Sequence, residues 1–136
     1  MKKPGSPLFS VLIADEEVSV YNELMGSIVM SGMMKLTHCK SVNDLIEESK
    51  SESAPDLIFL DAAFGEGKAY AIASYLKMKF IPKPTIVLMP YFGMTPLTLA
   101  VLSGCDEVIC KPATLDDLVA VLNKWNLSSR KIFKKE

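Results

Sequence analysis

Five short apolar runs, separated by segments with helical periodicity, constrain the fold of this chain more than any other feature. Residues 8–14 and 57–60 are almost wholly apolar, and a run without alternating polar positions is typical of a strand buried on both faces. Between the runs, apolar residues recur three or four positions apart, as on an amphipathic helix. The predicted strands lie at about residues 8–14, 35–39, 57–60, 85–89 and 107–110, and helices begin near residues 17, 41, 69, 95 and 114.

Strict alternation of strands and helices predicts a parallel sheet with right-handed crossovers and helices on both faces, which is a three-layer α/β sandwich. Two capping-box patterns support the helix starts: Ser41 with Asp44, and Thr114 with Asp117. Gly104 is placed to end the fourth helix. We expect one domain over residues 8–126, with flexible termini or a linker stub at 1–7 and 127–136.

The composition is that of a globular protein. The chain has 136 residues, 49% of them hydrophobic and 23% charged, which suits one domain with a substantial core. A net charge of −1 gives no indication of binding to nucleic acid or to a membrane surface. No apolar run approaches the roughly 20 residues of a membrane helix. Three cysteines, at positions 39, 105 and 110, have no metal-ligand spacing, so we expect buried, reduced thiols in a cytoplasmic protein.

Charged residues follow three of the predicted strands. Asp15 and Glu16 end the first apolar run, Asp61 ends the third, and Lys111 ends the fifth. The carboxyl ends of parallel strands meet at one edge of the sheet, where ligand sites in open α/β sheets lie. An acidic cluster beside a lysine at that edge suggests a divalent metal ion and a phosphoryl group.

These blocks, in this order and spacing, resemble the receiver domain of two-component response regulators. The resemblance rests on the acidic pair after the first strand, on Asp61 after Leu-Ile-Phe-Leu, and on Lys111-Pro112 after the fifth strand. It covers about residues 8–125, and it implies a flavodoxin-like (βα)5 fold whose sheet has the strand order 2-1-3-4-5.

The resemblance also implies the site. It makes Asp61 the phosphoacceptor and Lys111 the residue that contacts the phosphoryl group, with a Lys111–Pro112 peptide bond that is often cis. It implies Mg²⁺ as the cofactor, with the ligands Asp15, Glu16, Asp61 and the main-chain carbonyl of Ala63.

The implied function is a step in phosphorelay signal transduction of the bacterial type. The domain would take its phosphoryl group from a histidine kinase or phosphotransfer protein and pass the signal to a partner protein or output domain. We expect no enzyme, no direct contact with nucleic acid and no membrane association. Homodimerisation through the fourth helix, fifth strand and fifth helix occurs in the family, and the sequence leaves it open.

Two positions depart from the family pattern. Met89 stands where receivers usually carry Thr or Ser at the end of the fourth strand, and methionine has no hydrogen to donate. Val108 stands where they usually carry Tyr or Phe in the fifth strand. In the family these two side chains move together on phosphorylation. The alternative function is therefore a receiver-like interaction module that works without phosphorylation. A flavodoxin-like enzyme is disfavoured because no phosphate-cradling loop follows the first strand.

Two further residues have open roles. Tyr91 lies two positions beyond Met89, at a place that tunes dephosphorylation in the family, and it could equally pack within its loop. His38, the only histidine, is predicted to be a surface residue rather than a ligand.

Overall fold

The computed structural model describes residues 9–28, 34–50, 54–80, 83–91 and 97–129, which form an α/β sandwich around one parallel sheet. The strand order β2-β1-β3-β4-β5 confirms the prediction. The strands are β1 (Phe9–Ala14), β2 (Met34–Cys39), β3 (Leu57–Asp61), β4 (Thr85–Met89) and β5 (Glu107–Val108). The helices are α1 (Ser19–Ile28), α2 (Val42–Lys50), the short α3 (Phe64–Gly67), α4 (Ala69–Lys79), α5 (Leu97–Leu102) and α6 (Leu115–Ser129). None of the helices in these ranges is long and apolar enough to cross a membrane.

The apolar strands build two core layers, one on each face of the sheet. Because side chains alternate along a strand, successive residues of β1, β3 and β4 point to opposite layers. One layer includes Leu12, Ala14, Ile58, Leu60, Ile86 and Leu88, and the other includes Val11, Ile13, Leu57, Phe59, Val87 and Met89. Burial on both faces explains why these strands are apolar throughout.

Side-chain caps fix the starts of two helices, as the sequence predicts. The N–H of Asp44 donates to the Ser41 hydroxyl at 3.1 Å before α2. Before α6 the bonds are reciprocal, because the N–H of Asp117 donates to Thr114 Oγ1 at 3.1 Å and the N–H of Thr114 donates to Asp117 Oδ2 at 2.9 Å. The latter pair forms the two bonds of a capping box and positions α6 directly after Lys111.

Two aspartates clamp the amino edge of the sheet, opposite the predicted site. Asp56, just before β3, accepts the N–H of Ser10 on its carboxylate at 2.8 Å and donates its own N–H back to the Ser10 carbonyl at 2.7 Å. Asp106, just before β5, makes the same two bonds with Ile86 of β4, both at 2.8 Å. These reciprocal pairs fix the entry of each strand relative to its neighbour.

The short segment α3 after Asp61 has an unusual backbone. Gly65, Glu66 and Gly67 all have positive φ, at 67°, 60° and 86°. Gly65 also fits a close approach, since a Cβ there would lie 2.9 Å from Cγ2 of Val42 in α2. A left-handed turn of this length favours glycine, which explains the two glycines that the sequence carries after Asp61.

The structure corrects two predictions. Strand β5 covers only 107–108 rather than 107–110. Pro90 follows β4 and lacks an N–H, so it leaves the ladder with a gap before the Tyr91–Lys111 bridge. The second correction concerns the cysteines, which were expected to be buried. Cys110 is exposed because it follows β5, the outermost strand of the sheet, whereas Cys39 is buried and Cys105 is half-buried. All three are free thiols. The predicted start of the fourth helix near residue 95 lies outside the described residues.

Candidate functional site

Three of the predicted site residues meet at the carboxyl edge of the sheet. Asp15 follows β1, Asp61 ends β3, and Lys111 follows β5. The Lys111 ammonium lies 2.9 Å from Asp15 Oδ2 and 3.2 Å from Asp61 Oδ1. Its side chain is only 5% exposed, so the lysine contacts both carboxylates from within the protein.

A third carboxylate, which the sequence did not single out, also contacts this lysine. Glu17 Oε1 lies 3.2 Å from Lys111 Nζ, while the Glu17 side chain is 61% exposed. The hydroxyl of Tyr91 donates to the other carboxylate oxygen of Glu17 at 2.5 Å. These hydrogen bonds from Tyr91 and Lys111, with the positive charge of Lys111, lower the pKa of Glu17. Nothing in the adjacent acids Glu16 and Glu17 showed in advance which would turn towards the lysine.

Asp15 is held by its own set of donors inside the protein. The side chain is fully buried. Its Oδ1 accepts the N–H of Glu17 at 2.9 Å, and its Oδ2 accepts the hydroxyl of Tyr21 at 2.9 Å. Burial, followed by the negative charge of Asp15, raises the pKa of Tyr21, so this phenol stays protonated and remains a donor.

The Tyr21 hydroxyl also lies 3.3 Å from the sulfur of Met89. Met89 is buried at the end of β4, in register with Asp61. A hydroxyl group is therefore present beside the end of β4, although it comes from α1 and not from β4 itself. The sequence carried no signal for this contact beyond the apolar helical face that includes Tyr21.

Asp61 is a buried carboxylate beside a cation. Its Oδ1 is buried and accepts no hydrogen bond, although Lys111 Nζ lies close enough for an ion pair. Burial and then the negative charge of Asp15 raise the pKa of Asp61, and Lys111 opposes both effects. Burial by itself would lower the pKa of Lys111, but the hydrogen bond to Asp15 and the negative charges of Asp15 and Asp61 outweigh it and raise that pKa. The lysine is thus a permanent cation beside Asp61.

Solved structures with the same architecture settle the fold. A CheY-like receiver domain protein from Methanospirillum hungatei matches with a TM-score of 0.75, 15% identity, and coverage of 93% of this chain and 99% of that chain. A two-component response regulator from Clostridium difficile matches with a TM-score of 0.73 and 22% identity, over 93% of this chain and 99% of that one. The chain has the receiver fold. No protein-family model and no curated protein matches the sequence.

Some proteins with this fold are much longer than the present chain. NtrX from Brucella abortus matches with a TM-score of 0.73 and 21% identity over 90% of this chain, which spans only 27% of NtrX. The present chain also spans only 50% of the length of a probable response regulator/GGDEF domain protein. In these proteins the receiver fold is one part of a larger chain.

Two of the metal ligands expected for a receiver fold lie outside the ion-pair network. The Glu16 side chain is exposed and lines a shallow depression with His38 and Lys40. The carbonyl of Ala63 accepts the N–H of Gly67 at 3.3 Å. Within the described ranges, no three His, Cys, Asp or Glu side chains are gathered closely enough to hold a metal ion. The full set of ligands remains a prediction.

The charges and donors of the site nevertheless fit Mg²⁺. Three carboxylates, from Asp15, Glu17 and Asp61, surround one ammonium group, so two negative charges stay uncompensated. Asp61 also has a buried oxygen without a hydrogen bond. Carboxylate oxygens are the ligands that Mg²⁺ prefers in proteins. A divalent cation would both balance the charge and give this oxygen a partner.

The two residues at the predicted switch positions have apolar side chains. Met89 lies in the core layer that contains Phe59, and Val108 is half-buried and packs against the opposite layer. His38 is exposed, as predicted, and its Nε2 lies 2.6 Å from the main-chain carbonyl of Asp15. The Lys111–Pro112 peptide bond is cis, which confirms the expectation for this fold.

A cleft of about 260 Å³ opens beside Lys111. Its polar side is formed by Asp15, Glu17, Ser19 and Lys111, and its apolar side by Val20, Tyr21, Met89, Tyr91, Pro112 and Ala113. The cleft reaches from the start of α1 to the loop before α6, so it adjoins the ion-pair network on the side of Met89.

Proposed function

We propose that this domain accepts a phosphoryl group on Asp61 and acts as a receiver in two-component signal transduction. One observation carries the proposal: the carboxylate that ends β3 keeps a buried oxygen without a hydrogen bond, 3.2 Å from the ammonium of Lys111. A carboxylate that few hydrogen-bond donors hold can form a bond to phosphorus, and a transferred phosphoryl group needs a cation beside it. The receiver fold supports the same function by analogy.

In the proposed reaction, a carboxylate oxygen of Asp61 forms a bond to phosphorus while the bond between phosphorus and the nitrogen of the donor histidine breaks. Lys111 neutralises charge that the phosphoryl oxygens bring, and Asp15 keeps that lysine in place from the opposite side. Mg²⁺, when bound, neutralises the repulsion between the anionic acceptor and the anionic donor. Asp15, Glu16, Asp61 and the Ala63 carbonyl are the groups that would hold it.

The partners follow from this chemistry. A histidine kinase or phosphotransfer protein supplies the phosphoryl group, and a partner protein or output domain receives the signal. The longer proteins with this fold support an attached output domain, and we propose a cytoplasmic location because such phosphorelays operate there. In this proposal the domain is a signalling module and not an enzyme in its own right, and dimerisation through the face of α5, β5 and α6 stays open.

Incubation with acetyl phosphate and magnesium tests the proposal directly. Intact-mass spectrometry should show the addition of one phosphoryl group, and EDTA should prevent it. Asp61→Asn should remove the signal, whereas Asp116→Asn, which changes an exposed aspartate in the first turn of α6, should be modified like the wild type. A wild-type protein that gains no mass with magnesium would contradict the proposal.

Met89 and Val108 favour a second candidate, an interaction module that does not depend on phosphorylation. Without a hydroxyl on β4 or an aromatic ring on β5, the usual movement of these side chains is unavailable. Amide NMR spectra with and without beryllofluoride distinguish the two functions. A receiver that switches should show shifts on α5, β5 and α6, whereas the second candidate predicts shifts confined to the residues around Asp61.

A further inference from the structure

Glu17 and Tyr91 lie in two separate loops, and their side chains contact each other and Lys111. Glu17 precedes α1, and Tyr91 follows β4. Tyr91 donates its hydroxyl to one carboxylate oxygen of Glu17 at 2.5 Å, and the other oxygen lies 3.2 Å from Lys111 Nζ. The lysine ammonium also lies 5.2 Å from the centre of the Tyr91 ring, within the range of a cation–π contact. Each of the three side chains therefore contacts the other two. We name the contacts of Glu17 and Tyr91 with each other and with Lys111 the Glu17–Tyr91 strap.

We propose that a phosphoryl group on Asp61 displaces Glu17 from Lys111 and so breaks the Glu17–Tyr91 strap. Tyr91 is released when this happens. The inference rests on the proposed function, since it concerns what competes with the phosphoryl group for Lys111. It assigns a role to two residues that phosphoryl transfer itself does not require.

The competition follows from the shared ammonium. Glu17 and Asp61 both place a carboxylate oxygen 3.2 Å from the same Nζ atom. The carboxylates of Asp15 and Glu17 both accept hydrogen bonds from this ammonium group. A phosphoryl group on Asp61 would bring about 1.5 to 2 negative charges to the same ammonium, so it competes with Glu17 for the positive charge of Lys111.

Burial decides which carboxylate gives way. Asp15 is fully buried, so leaving it without the lysine would strand a charge away from water. Glu17 is 61% exposed and becomes hydrated as soon as it leaves Lys111. The phosphoryl charge also repels Glu17 directly. The contact that breaks is therefore the one between Lys111 and Glu17, while the contact between Lys111 and Asp15 stays.

Release of Glu17 changes the surroundings of Tyr91. The Tyr91 hydroxyl loses the carboxylate that orders it, and the ring is already 44% exposed. Tyr91 lies two residues beyond Met89, so the event at Asp61 reaches the loop after β4 without a hydroxyl on Met89. The strap thus offers this chain a way to report phosphorylation that does not use the missing switch residues.

The rate of phosphorylation tests the competition. Glu17→Gln should be modified by acetyl phosphate about two- to fivefold faster than the wild type, the size expected when an exposed ion pair is removed. Tyr91→Phe should change the rate in the same direction but by less, because it removes the bond that holds Glu17 without changing any charge. Glu47→Gln and Tyr75→Phe are matched controls: Glu47 pairs with Lys50 on α2, and Tyr75 is an exposed tyrosine on α4.

A second measurement detects the strap in protein without magnesium. The ring signals of Tyr91, assigned by comparison with Tyr91→Phe, should move in metal-free Glu17→Gln. In the wild type, beryllofluoride with magnesium should move them in the same direction. A mutation that merely perturbed packing would shift signals of the core, such as those of Phe59, and the strap predicts that these stay in place.

The outcomes separate the strap from the proposed function. Faster modification of both strap variants with unchanged controls supports the strap. If the wild type is modified on Asp61 and neither strap variant is faster, the strap is wrong while the proposed function stands. If no variant is modified under any condition, both fail.

Discussion

Removal of one buried hydroxyl, in Tyr21→Phe, tests how the protein stabilises the charge of Asp15. The substitution keeps the ring, which packs against Phe59 with 5.8 Å between the centroids, and deletes only the oxygen. That oxygen donates to Asp15 Oδ2 at 2.9 Å and lies 3.3 Å from Met89 Sδ. No large cavity forms, so the measured loss of stability reports mainly on the hydrogen bond.

The expected loss can be worked out from the partners that remain. A hydrogen bond to a charged group contributes about 1.5–3 kcal/mol to stability. Asp15 keeps Lys111 Nζ and the N–H of Glu17 after the substitution, so its charge is not left without donors. We therefore expect the lower end, about 1.5–2 kcal/mol, since the sulfur of Met89 is only a weak acceptor.

Equilibrium unfolding in urea, followed by circular dichroism in metal-free buffer, measures this free energy. The midpoint should fall while the m-value stays unchanged, because the surface exposed on unfolding is the same. Tyr75→Phe is the matched control. Tyr75 is 40% exposed on α4, and its loss of a hydroxyl should change the free energy by less than about 0.5 kcal/mol. A loss below about 0.5 kcal/mol in Tyr21→Phe would refute the reasoning, because the buried carboxylate would then not depend on this donor.

Three further predictions concern Asp61, the loop after it and the cysteines. The pKa of Asp61 is raised in the folded protein, so the folded state binds the carboxyl proton more tightly than the unfolded state and loses stability as the pH rises past the pKa of the unfolded state. Asp61→Asn should therefore unfold at a higher urea concentration at about pH 7, with a free energy of unfolding larger by about 0.5–2 kcal/mol. This gain should vanish near pH 3. Gly65→Ala should destabilise the protein by about 1–2 kcal/mol from its φ of +67° alone. Its loss should exceed that of Gly67→Ala, because a Cβ at position 67 would meet no atom within 4 Å. Equal losses in urea unfolding would contradict the clash of the new Cβ with α2. A thiol reagent at neutral pH should label Cys110 rapidly and Cys39 only on unfolding, because burial raises the pKa of Cys39 to about 12; mass mapping of a short reaction would show any early label on Cys39.

The sequence was sufficient for the architecture because the signals were strong and local. Runs that are apolar at every position occur where both faces of a strand are covered, and the structure places β1 and β3 in the centre of the sheet. Thr114 and Asp117 have the spacing of a reciprocal cap, which any helix start with these residues can use. The strand order was not local information, and it came from the resemblance to receiver domains.

The site was only partly predictable, for a physical reason. The ends of parallel strands must meet, so Asp15, Asp61 and Lys111 were bound to come close to each other. Which of two adjacent glutamates turns inward depends on backbone angles after β1, and the pattern of charged residues does not encode them. The structure turns Glu17 towards the lysine and leaves Glu16 exposed.

Tyr21 illustrates a second limit of sequence patterns. Its spacing in α1 predicts a core residue, and it is one, with 2% of its surface exposed. The polar end of a buried tyrosine needs a partner, but the partner depends on how the helix lies on the sheet. The extent of β5 was missed for a similar reason, since Pro90 interrupts the ladder from the neighbouring strand and not from β5 itself.

The reciprocal aspartate bonds make the amino edge of the sheet more resistant to local opening than the carboxyl edge. Asp56 and Asp106 each tie a strand entry to its neighbour with two short bonds, whereas the carboxyl edge carries ion pairs of Lys111 that a phosphoryl group on Asp61 would rearrange. Local opening should therefore start at the carboxyl edge, and amide hydrogen exchange should be slower at Ser10 and Ile86 than at Glu17, whose N–H donates to the side chain of Asp15. The fold can then change shape at one end while the strand register is kept at the other.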